Sequence, residues 1–334
     1  MFSCLLLFNC RSGSEVGSPP VWTLRTDIPV VFLTDLDSEK LGATTANSYF
    51  ILHKREGTII ERYFLVRSGL AGIPQDNQRI YYGGLDNYFR CFDLSQRKVL
   101  WEFQTLKENQ GVAVLDSHRV YWGSADSTLY AVDKLNGVLQ WKFKTGCHIY
   151  AMPVFMDSIL LIGSWDTGLY ALHRKTGQKL WKFQAESGID QTPLLFNQTI
   201  WLASYDSHIY GIERLTGQLT FAFKAENAFE FGGVRWRNIL IFSGIDRHFY
   251  FVDPLQKQVK NVERSPVAIS SQPVVSNDLL ITGHYDGSLY RWNLPAMQKT
   301  LLHRFDGRVL TLLVDDRYLW ASSWDRTTVC IPLD

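Results

Sequence analysis

Short apolar runs alternate with small polar turns along the chain, and the alternation repeats about every 40 residues. Each unit holds an apolar run such as LLIGS, an Asp turn and a second run such as GLYALH, followed by a Gly turn and a strand such as LWKFQ. Trp and Phe alternate with Lys and Gln in that last strand, which predicts one buried and one exposed face. Two β-rich runs joined by Asp and small polar residues predict a tight hairpin. With the upstream run, such as IYAMPVF, each unit contains four strands.

Asp and Trp mark the repeat. The turn aspartates are Asp86, Asp126, Asp166, Asp206, Asp246, Asp286 and Asp325. Fifteen residues after the first four stand Trp101, Trp141, Trp181 and Phe221. Asp suits such a turn because its carboxylate accepts backbone N–H groups, and Gly in the LNG and KTG turns adopts positive φ at low cost. Four strands per period of this length predict an all-β fold, a β-propeller.

The spacing also predicts the number of blades. One step back from Asp86 lies Asn47, at the start of the hairpin SYFILHKREGTIIERYF, which makes eight hairpins. No Trp strand follows Asp325, but VWTLRTD, around Trp22, matches the missing strand. We therefore predict an eight-bladed propeller of four-stranded blades, with seven blades as the alternative, in which the N-terminal strand completes the last blade. Closing the ring in this way removes open sheet edges.

The N-terminus differs from the repeats. LLLFNC resembles a bacterial lipobox that ends at Cys10, although Asn9 stands where Gly, Ala or Ser is usual and no basic segment precedes it. Residues 11–20 are rich in Gly, Ser and Pro, which is typical of a flexible tether. We expect residues 1–20 to be a lipoprotein signal and tether, and residues 21–334 to be one propeller domain. A lipid anchor would hold it on the periplasmic side of the cell envelope, with the outer membrane favoured; the alternative is a cytoplasmic protein.

Composition supports one folded domain. The chain has 334 residues, of which 46% are hydrophobic, and its net charge of +1 is interspersed, which argues against nucleic-acid binding. No apolar stretch reaches the 18 residues that predict a transmembrane helix. Cys91, Cys147 and Cys330 are odd in number and contain no CxxC, so they do not indicate a disulfide framework. Cys91 and Cys330 occupy apolar strand positions, which predicts buried thiols.

The repeat G-S-x-D-x-x-L-Y-A-x-D/H-x-x-T/N-G-x-x-x-W resembles that of the pyrroloquinoline-quinone-like propellers. Residues 126–141 and 166–181 fit it well, whereas the copies at Asp246, Asp286 and Asp325 lack the Gly–Trp half. The resemblance implies that the Trp rings dock blade against blade. It therefore gives a structural role to the seven turn aspartates and to a set of four tryptophans, Trp22, Trp101, Trp141 and Trp181.

Two functional classes share this resemblance. Quinoprotein dehydrogenases bind pyrroloquinoline quinone and calcium at the ring centre, but their chains are longer, several carry an adjacent cysteine pair that this chain lacks, and no calcium ligands can be matched here. The other class is non-enzymatic and similar to the lipoprotein subunit of the outer-membrane β-barrel assembly machinery. We expect this second class: a monomeric scaffold with protein partners, no catalytic residues, no cofactor and no metal. The alternative is a dehydrogenase with quinone and calcium, or a ligand-sensing propeller.

Hairpin geometry places the Asp turns and the inter-blade connections on one face of the ring, called here the Asp-turn face, and the Gly turns on the opposite face. Aromatic and hydrogen-bonding residues concentrate on it, as at the centres of protein interfaces, although such rings also serve as core. The candidate partner-binding residues are Trp165, Tyr205, Tyr285, Trp324, His148, Tyr150, Asp190, Gln191, Phe229, Glu230, Gln272 and Arg308. His208 and His248 share a repeat position, and we expect both to face solvent rather than to act as a ligand pair.

Overall fold

The computed structural model describes residues 18–69 and 72–333, so the predicted lipidation site at Cys10 lies outside the described residues. Within these ranges the chain forms 32 strands, arranged in eight four-stranded antiparallel sheets. The prediction of an eight-bladed, all-β propeller is therefore confirmed. No helix in the described ranges is long and apolar enough to cross a membrane.

Blades are numbered in chain order, and blades 1 to 4 each use four consecutive strands. Blade 1 contains β2 (Phe32–Asp35), β3 (Lys40–Thr44), β4 (Ser48–His53) and β5 (Ile59–Phe64). Blade 2 contains β6 (Gln75–Asp76), β7 (Arg79–Gly83), β8 (Tyr88–Asp93) and β9 (Lys98–Gln104). Blade 3 contains β10 (Val114–Leu115), β11 (Arg119–Gly123), β12 (Thr128–Asp133) and β13 (Leu139–Lys144). Blade 4 contains β14 (Val154–Met156), β15 (Ile159–Gly163), β16 (Gly168–His173) and β17 (Lys179–Gln184).

Blades 5 to 7 repeat this plan, and blade 8 takes its fourth strand from the other end of the chain. Blade 5 contains β18 (Leu194–Phe196), β19 (Thr199–Ala203), β20 (His208–Glu213) and β21 (Leu219–Lys224). Blade 6 contains β22 (Val234–Trp236), β23 (Ile239–Ser243), β24 (His248–Asp253) and β25 (Gln258–Arg264). Blade 7 contains β26 (Val274–Ser276), β27 (Leu279–Gly283), β28 (Ser288–Asn293) and β29 (Gln298–Arg304). Blade 8 contains β30 (Val309–Val314), β31 (Tyr318–Ser323), β32 (Thr327–Pro332) and β1 (Trp22–Arg25).

The N-terminal strand closes the ring as predicted. Strand β1 pairs antiparallel with β32, with Trp22 opposite Cys330 and Arg25 opposite Thr327. The first strands of neighbouring blades contact one another, as β26 does with β30 and β30 with β2. The first strand of each blade therefore lies toward the ring centre, and the fourth strand lies at the rim.

A tryptophan from one blade packs on a glycine of the next. The Trp141 ring is buried, and its Nε1 donates to the carbonyl oxygen of Arg174 at 3.1 Å. A Cβ at Gly177 would lie 2.6 Å from Cε3 of Trp141, so no side chain fits there without displacing the ring. The same packing joins three other pairs, Trp22 with Gly57, Trp101 with Gly137 and Trp181 with Gly217. The docking role that the resemblance implied for these four tryptophans is thus present in the structure.

Four seams between blades lack this pair. Between blades 7 and 8 the glycine turn is absent, because the third and fourth strands of blade 8 come from opposite ends of the chain. At the other three seams both partners are replaced together. The residues at the Trp and Gly positions are Glu61 and Arg97, Phe221 and Lys257, and Asn261 and Met297. Arg97, Lys257 and Met297 all have φ of 52°, so the turn accepts a side chain in the left-handed region. Glycine is therefore required in this turn by the facing tryptophan ring rather than by the turn itself.

The turn aspartates form a second link between blades. Oδ1 of Asp166 accepts the N–H of Gly168 at 3.0 Å, while Oδ2 accepts the Tyr170 hydroxyl at 2.6 Å and the N–H of Gly146, from the preceding connection, at 2.6 Å. Burial raises the pKa of Asp166, but these hydrogen bonds outweigh burial, and the pKa lies below its usual value. Similar cross-blade bonds join Leu106 to Asp126, Glu186 to Asp206 and Asp306 to Asp325. The sequence predicted the bonds within the turn but not this link.

The thiols of Cys91 and Cys330 are buried in strands β8 and β32, as their apolar setting predicted. Burial raises the pKa of Cys91 to about 11 and that of Cys330 to about 12. Thiols with such pKa values stay protonated and unreactive near neutral pH. Cys147 is partly exposed in the connection between blades 3 and 4.

Removing the closing strand should destabilise the ring. Deleting residues 1–28 removes β1, and the loss of the buried Trp22 ring alone should cost about 3–5 kcal/mol. It also leaves β32 as an open edge, so we expect a lower melting temperature and aggregation. Deleting residues 1–19, which leaves β1 in place, is the control. Equal melting temperatures for the two truncations would contradict the role of β1 in closure.

The tryptophan seam predicts a difference between two matched substitutions. Gly177→Ala places a methyl group against Trp141 at positive φ and should cost more than about 2 kcal/mol of unfolding free energy. Lys257→Ala changes the same turn position in blade 6, where no tryptophan faces it, and should stay within about 0.5 kcal/mol of wild type. Denaturant midpoints of both variants measure the difference. Similar losses at the two positions would show that backbone conformation alone sets the need for glycine.

Candidate partner-binding face

Most residues that precede a turn aspartate are held on the Asp-turn face by a backbone hydrogen bond to the preceding connection. The N–H of Trp165 donates to the carbonyl of His148 at 3.1 Å, and the N–H of Trp324 donates to that of Arg308 at 2.9 Å. Tyr285 is held in the same way by Ala268 at 3.1 Å. The exposed fractions of Trp165, Tyr285 and Trp324 are 39%, 44% and 54%. These three rings therefore combine a fixed backbone with a surface open to solvent.

A first aromatic cluster crosses blades 3 to 5. The His148 ring centroid lies 4.7 Å from that of Tyr150 and 5.1 Å from that of Trp165. Trp165 in turn lies 5.4 Å from Tyr205, the corresponding residue of the next blade. These four side chains, which the sequence analysis treated as separate candidates, form one continuous aromatic surface.

Asp190 lies among these rings without a full set of partners. Its Oδ1 atom is buried and has no hydrogen-bond partner. Burial raises the pKa of Asp190, and the opposing interactions with Trp165 and His148 are smaller. Burial also raises the pKa of the Tyr205 hydroxyl to about 12, with the charges of Asp190 and Glu230 adding to the effect. The cluster thus surrounds a carboxyl group whose Oδ1 atom has no hydrogen-bond partner.

A second aromatic cluster continues the surface over blades 6 to 8. The Arg308 guanidinium lies 5.1 Å from the ring centroid of Trp324 and 5.8 Å from that of Tyr285. The Tyr285 hydroxyl donates to Glu230 Oε2 at 3.4 Å. Because the charges of Glu230 and Tyr285 both influence Tyr205, the two clusters are neighbours. Ten of the twelve candidate residues belong to this surface or its edge; the other two, Gln191 and Phe229, are buried.

Gln191 and Phe229 do not face solvent. Phe229 is fully buried in the core between blades 5 and 6, and Gln191 is 2% exposed. The Gln191 amide donates to the carbonyl of Phe229 at 2.6 Å, so this pair fixes two connections to each other. Gln272 is exposed at the edge of the face, where its amide donates to the Gly232 carbonyl at 3.1 Å.

Some residues of this face were missed by the sequence analysis. A Cβ at Gly188 would lie 3.0 Å from Trp165, so the absence of a side chain lets the Trp165 ring lie over this connection. Cys147 Sγ lies 3.3 Å from His148 Nδ1. The charge of Glu108 acts on Tyr150, which places a third acidic group near the first cluster. Only the spatial neighbourhood identifies these residues, since they carry no repeat signal.

The expectation that His208 and His248 face solvent was wrong. Their side chains are 16% and 24% exposed. The His208 ring stacks on Tyr210 with centroids 5.3 Å apart, and His248 packs edge-on against Tyr250 at 6.3 Å. Each histidine occupies the first position of the third strand of its blade, where the tyrosine two residues later covers it.

Comparisons of this structure with solved structures find close likeness in fold. The crystal structure of BamB from Moraxella catarrhalis matches with a TM-score of 0.81 at 18% identity, over 94% of this chain and 99% of that chain. A computationally designed protein, Ika8, matches with a TM-score of 0.79 at 17% identity, over 92% of this chain and 98% of that chain. At such identities the likeness shows the fold alone, and a designed protein shares it.

The sequence carries more specific information than the fold. No curated protein matches it. A family model described as outer membrane protein assembly factor BamB matches residues 51–148 and 146–237, more than half of the chain. The matched segments contain the hairpins of Asp86, Asp126, Asp166 and Asp206. The chain therefore belongs to the outer membrane protein assembly factor BamB family.

Proposed function

We propose that this protein is a non-enzymatic, monomeric scaffold of the cell envelope that binds protein partners during outer-membrane protein assembly, without quinone or calcium as a cofactor. Family membership supports the biological setting. The observation that carries the proposal is the pair of exposed aromatic clusters, the first of which surrounds Asp190 with its buried, unpartnered Oδ1 atom. This combination is chemically suited to holding another protein.

Exposed Trp and Tyr rings are well suited to anchor a partner. They bury a large apolar area with little loss of side-chain freedom, and such residues dominate binding energy at protein interfaces. Trp165 and Trp324 are held by backbone hydrogen bonds to the neighbouring connections, which lowers the cost of ordering them on binding. The free protein thus presents rings in positions that need little rearrangement.

The Asp190 carboxylate adds chemical selectivity to this surface. A buried acceptor without a donor is unfavourable, and a partner whose side chain enters the cluster and donates to Oδ1 of Asp190 recovers that cost. An arginine or lysine side chain would do so and would also pack against the rings of His148, Trp165 and Tyr205. We therefore expect the partner segment to carry a basic residue at this position.

The anchor completes the proposal. LLLFNC and the Gly, Ser and Pro-rich segment after it support lipid attachment at Cys10, with the propeller on the periplasmic side of the outer membrane. A single acyl group gives only reversible membrane binding, so stable anchoring requires the multiple acyl chains of a lipoprotein.

The partner-binding face predicts loss of capture without loss of folding. Trp165→Ala, Tyr285→Ala and Trp324→Ala should each weaken binding by about 2 kcal/mol, roughly a 30-fold loss of affinity. Their melting temperatures should stay near that of wild type, because these rings are exposed. The measurement is capture of proteins from detergent-solubilised outer membranes of the encoding organism, identified by mass spectrometry and followed by titration of the captured partner.

Matched controls come from the opposite face. Leu135 and Leu215 are 61% and 60% exposed apolar residues in Gly turns, so Leu135→Ala and Leu215→Ala remove similar surface away from the clusters. Both should leave capture unchanged. Normal capture by a triple variant that lacks all three rings would refute this face as the working surface.

Lipid attachment has a direct test. In cells supplied with labelled palmitate and expressing the chain from its verified start codon, the wild-type protein should carry label. Cys10→Ser should carry none, because the acyl acceptor is gone, while Cys4→Ser should be labelled normally. An unlabelled wild-type protein would reject the anchor and leave the partner-binding proposal to its own test.

A further inference from the structure

We propose that Glu226, Asp246 and His248 form a binding site for one divalent transition metal ion of the Zn²⁺ type. The site lies at the seam between blades 5 and 6, near the rim. Glu226 belongs to the connection after β21, Asp246 to the turn before β24, and His248 is the first residue of β24. One ligand atom from each residue lies within 4.8 Å of the others, and among the described residues this is the one group of three that meets this criterion.

The donor set fits such an ion. One imidazole nitrogen and two carboxylate oxygens are common ligands of Zn²⁺, and a water molecule would complete four-coordination. Ligand atoms on a tetrahedral ion stand about 3.4 Å apart, so the group must contract slightly. Asp246 and His248 are largely buried, with side chains 7% and 24% exposed, whereas Glu226 is exposed and free to move inward. Two ligands are therefore held in place and the third can close on the ion.

A departure from the repeat first points to this seam. At the three preceding seams of the same kind, Oδ2 of the turn aspartate accepts a backbone N–H from the preceding connection, at 3.0, 2.6 and 2.9 Å. Oδ2 of Asp246 accepts only the Tyr250 hydroxyl, at 2.6 Å, and the N–H of Glu226 lies 3.5 Å from that hydroxyl instead. The carboxylate of Asp246 thus lacks the cross-blade donor that Asp126, Asp166 and Asp206 have.

His248 supplies a second, independent observation. Its Nδ1 atom is buried without a hydrogen-bond partner, and the 3.6 Å to Asp246 Oδ1 is too long for a hydrogen bond. In blade 5 the equivalent His208 Nδ1 contacts the carbonyl and Oδ1 of Asp206 at 3.1 and 3.2 Å. Both histidines stand in the same repeat position, but only the one in blade 6 has an Nδ1 atom without a hydrogen-bond partner.

A bound ion would connect two blades where the usual link is missing. Glu226 comes from the end of blade 5, and Asp246 and His248 come from blade 6. This seam also lacks the tryptophan and glycine pair, since Phe221 and Lys257 stand in its place. The ion would therefore stabilise a weak point of the ring, a role separate from partner binding at the aromatic clusters.

The experiment is a Zn²⁺ titration by isothermal calorimetry of the EDTA-treated full chain carrying Cys4→Ser, Cys10→Ser and Cys147→Ser, which removes competing accessible thiols. We expect one equivalent to bind and the melting temperature to rise with added Zn²⁺. His248→Gln and Glu226→Gln should each weaken binding by more than about 100-fold, since loss of an outer-shell partner alone costs about 10–100-fold. Glu226→Gln changes an exposed side chain and serves as the variant that is sure to fold.

Blade 5 provides the matched controls. His208→Gln and Glu186→Gln replace the same residue types at the equivalent seam, where His208 Nδ1 and Asp206 already have partners, and should leave the Zn²⁺ affinity unchanged. Absence of saturable binding to the parent chain would overturn the proposal. Binding that survives both His248→Gln and Glu226→Gln, or that is lost equally in the blade 5 controls, would do the same. Co²⁺ absorption spectra check that oxygen and nitrogen ligands hold the ion.

Discussion

The ring depends on the packing of a tryptophan side chain from one blade against a glycine backbone in the next. This contact buries an indole ring and satisfies its Nε1 with a carbonyl of the same turn, as Trp141 does with Arg174. The two residues belong to different copies of the repeat, so the Trp of one copy packs against the Gly of the next copy. At three seams both the Trp and the facing Gly are replaced, and Arg97, Lys257 and Met297 adopt positive φ there although they are not glycine.

In the Asp turns, the aspartate stabilises the fold, whereas the residue immediately before it is free to vary. The carboxylates of Asp166 and Asp206 accept hydrogen bonds from their own turn, from a tyrosine of the next strand and from the preceding connection, so they have little capacity left for a partner. The residue before a turn aspartate can combine a fixed backbone with a side chain that projects outward, as Trp165 and Trp324 do. The repeat can therefore vary this position without loss of the seam, and a recognition surface can be built there.

The period, the closing strand and the structural tryptophans could be predicted because each is a local pattern repeated in register. The candidate face could be predicted only in part. Trp165, Tyr285 and Trp324 follow from the hairpin rule, but Phe229 and Gln191 point inward, and alternation within an irregular connection does not reveal this. His208 and His248 look equivalent in sequence, yet Nδ1 has a hydrogen-bond partner in His208 and none in His248, a difference that the repeat pattern does not encode.

By itself the sequence determined the class of fold, the number of blades and the use of the N-terminal strand to complete the last blade. These could be predicted without knowledge of distant contacts, since the spacing and the apolar alternation repeat eight times. The tertiary structure decided which residues meet across the seams. It brought His148, Trp165 and Tyr205 together from three separate repeats and left Oδ1 of Asp190 without a hydrogen-bond partner. It also placed the N–H of Glu226 near the Tyr250 hydroxyl instead of the Asp246 carboxylate. These outcomes depend on how blades are rotated and packed around the ring, and such long-range geometry is not encoded in any single repeat.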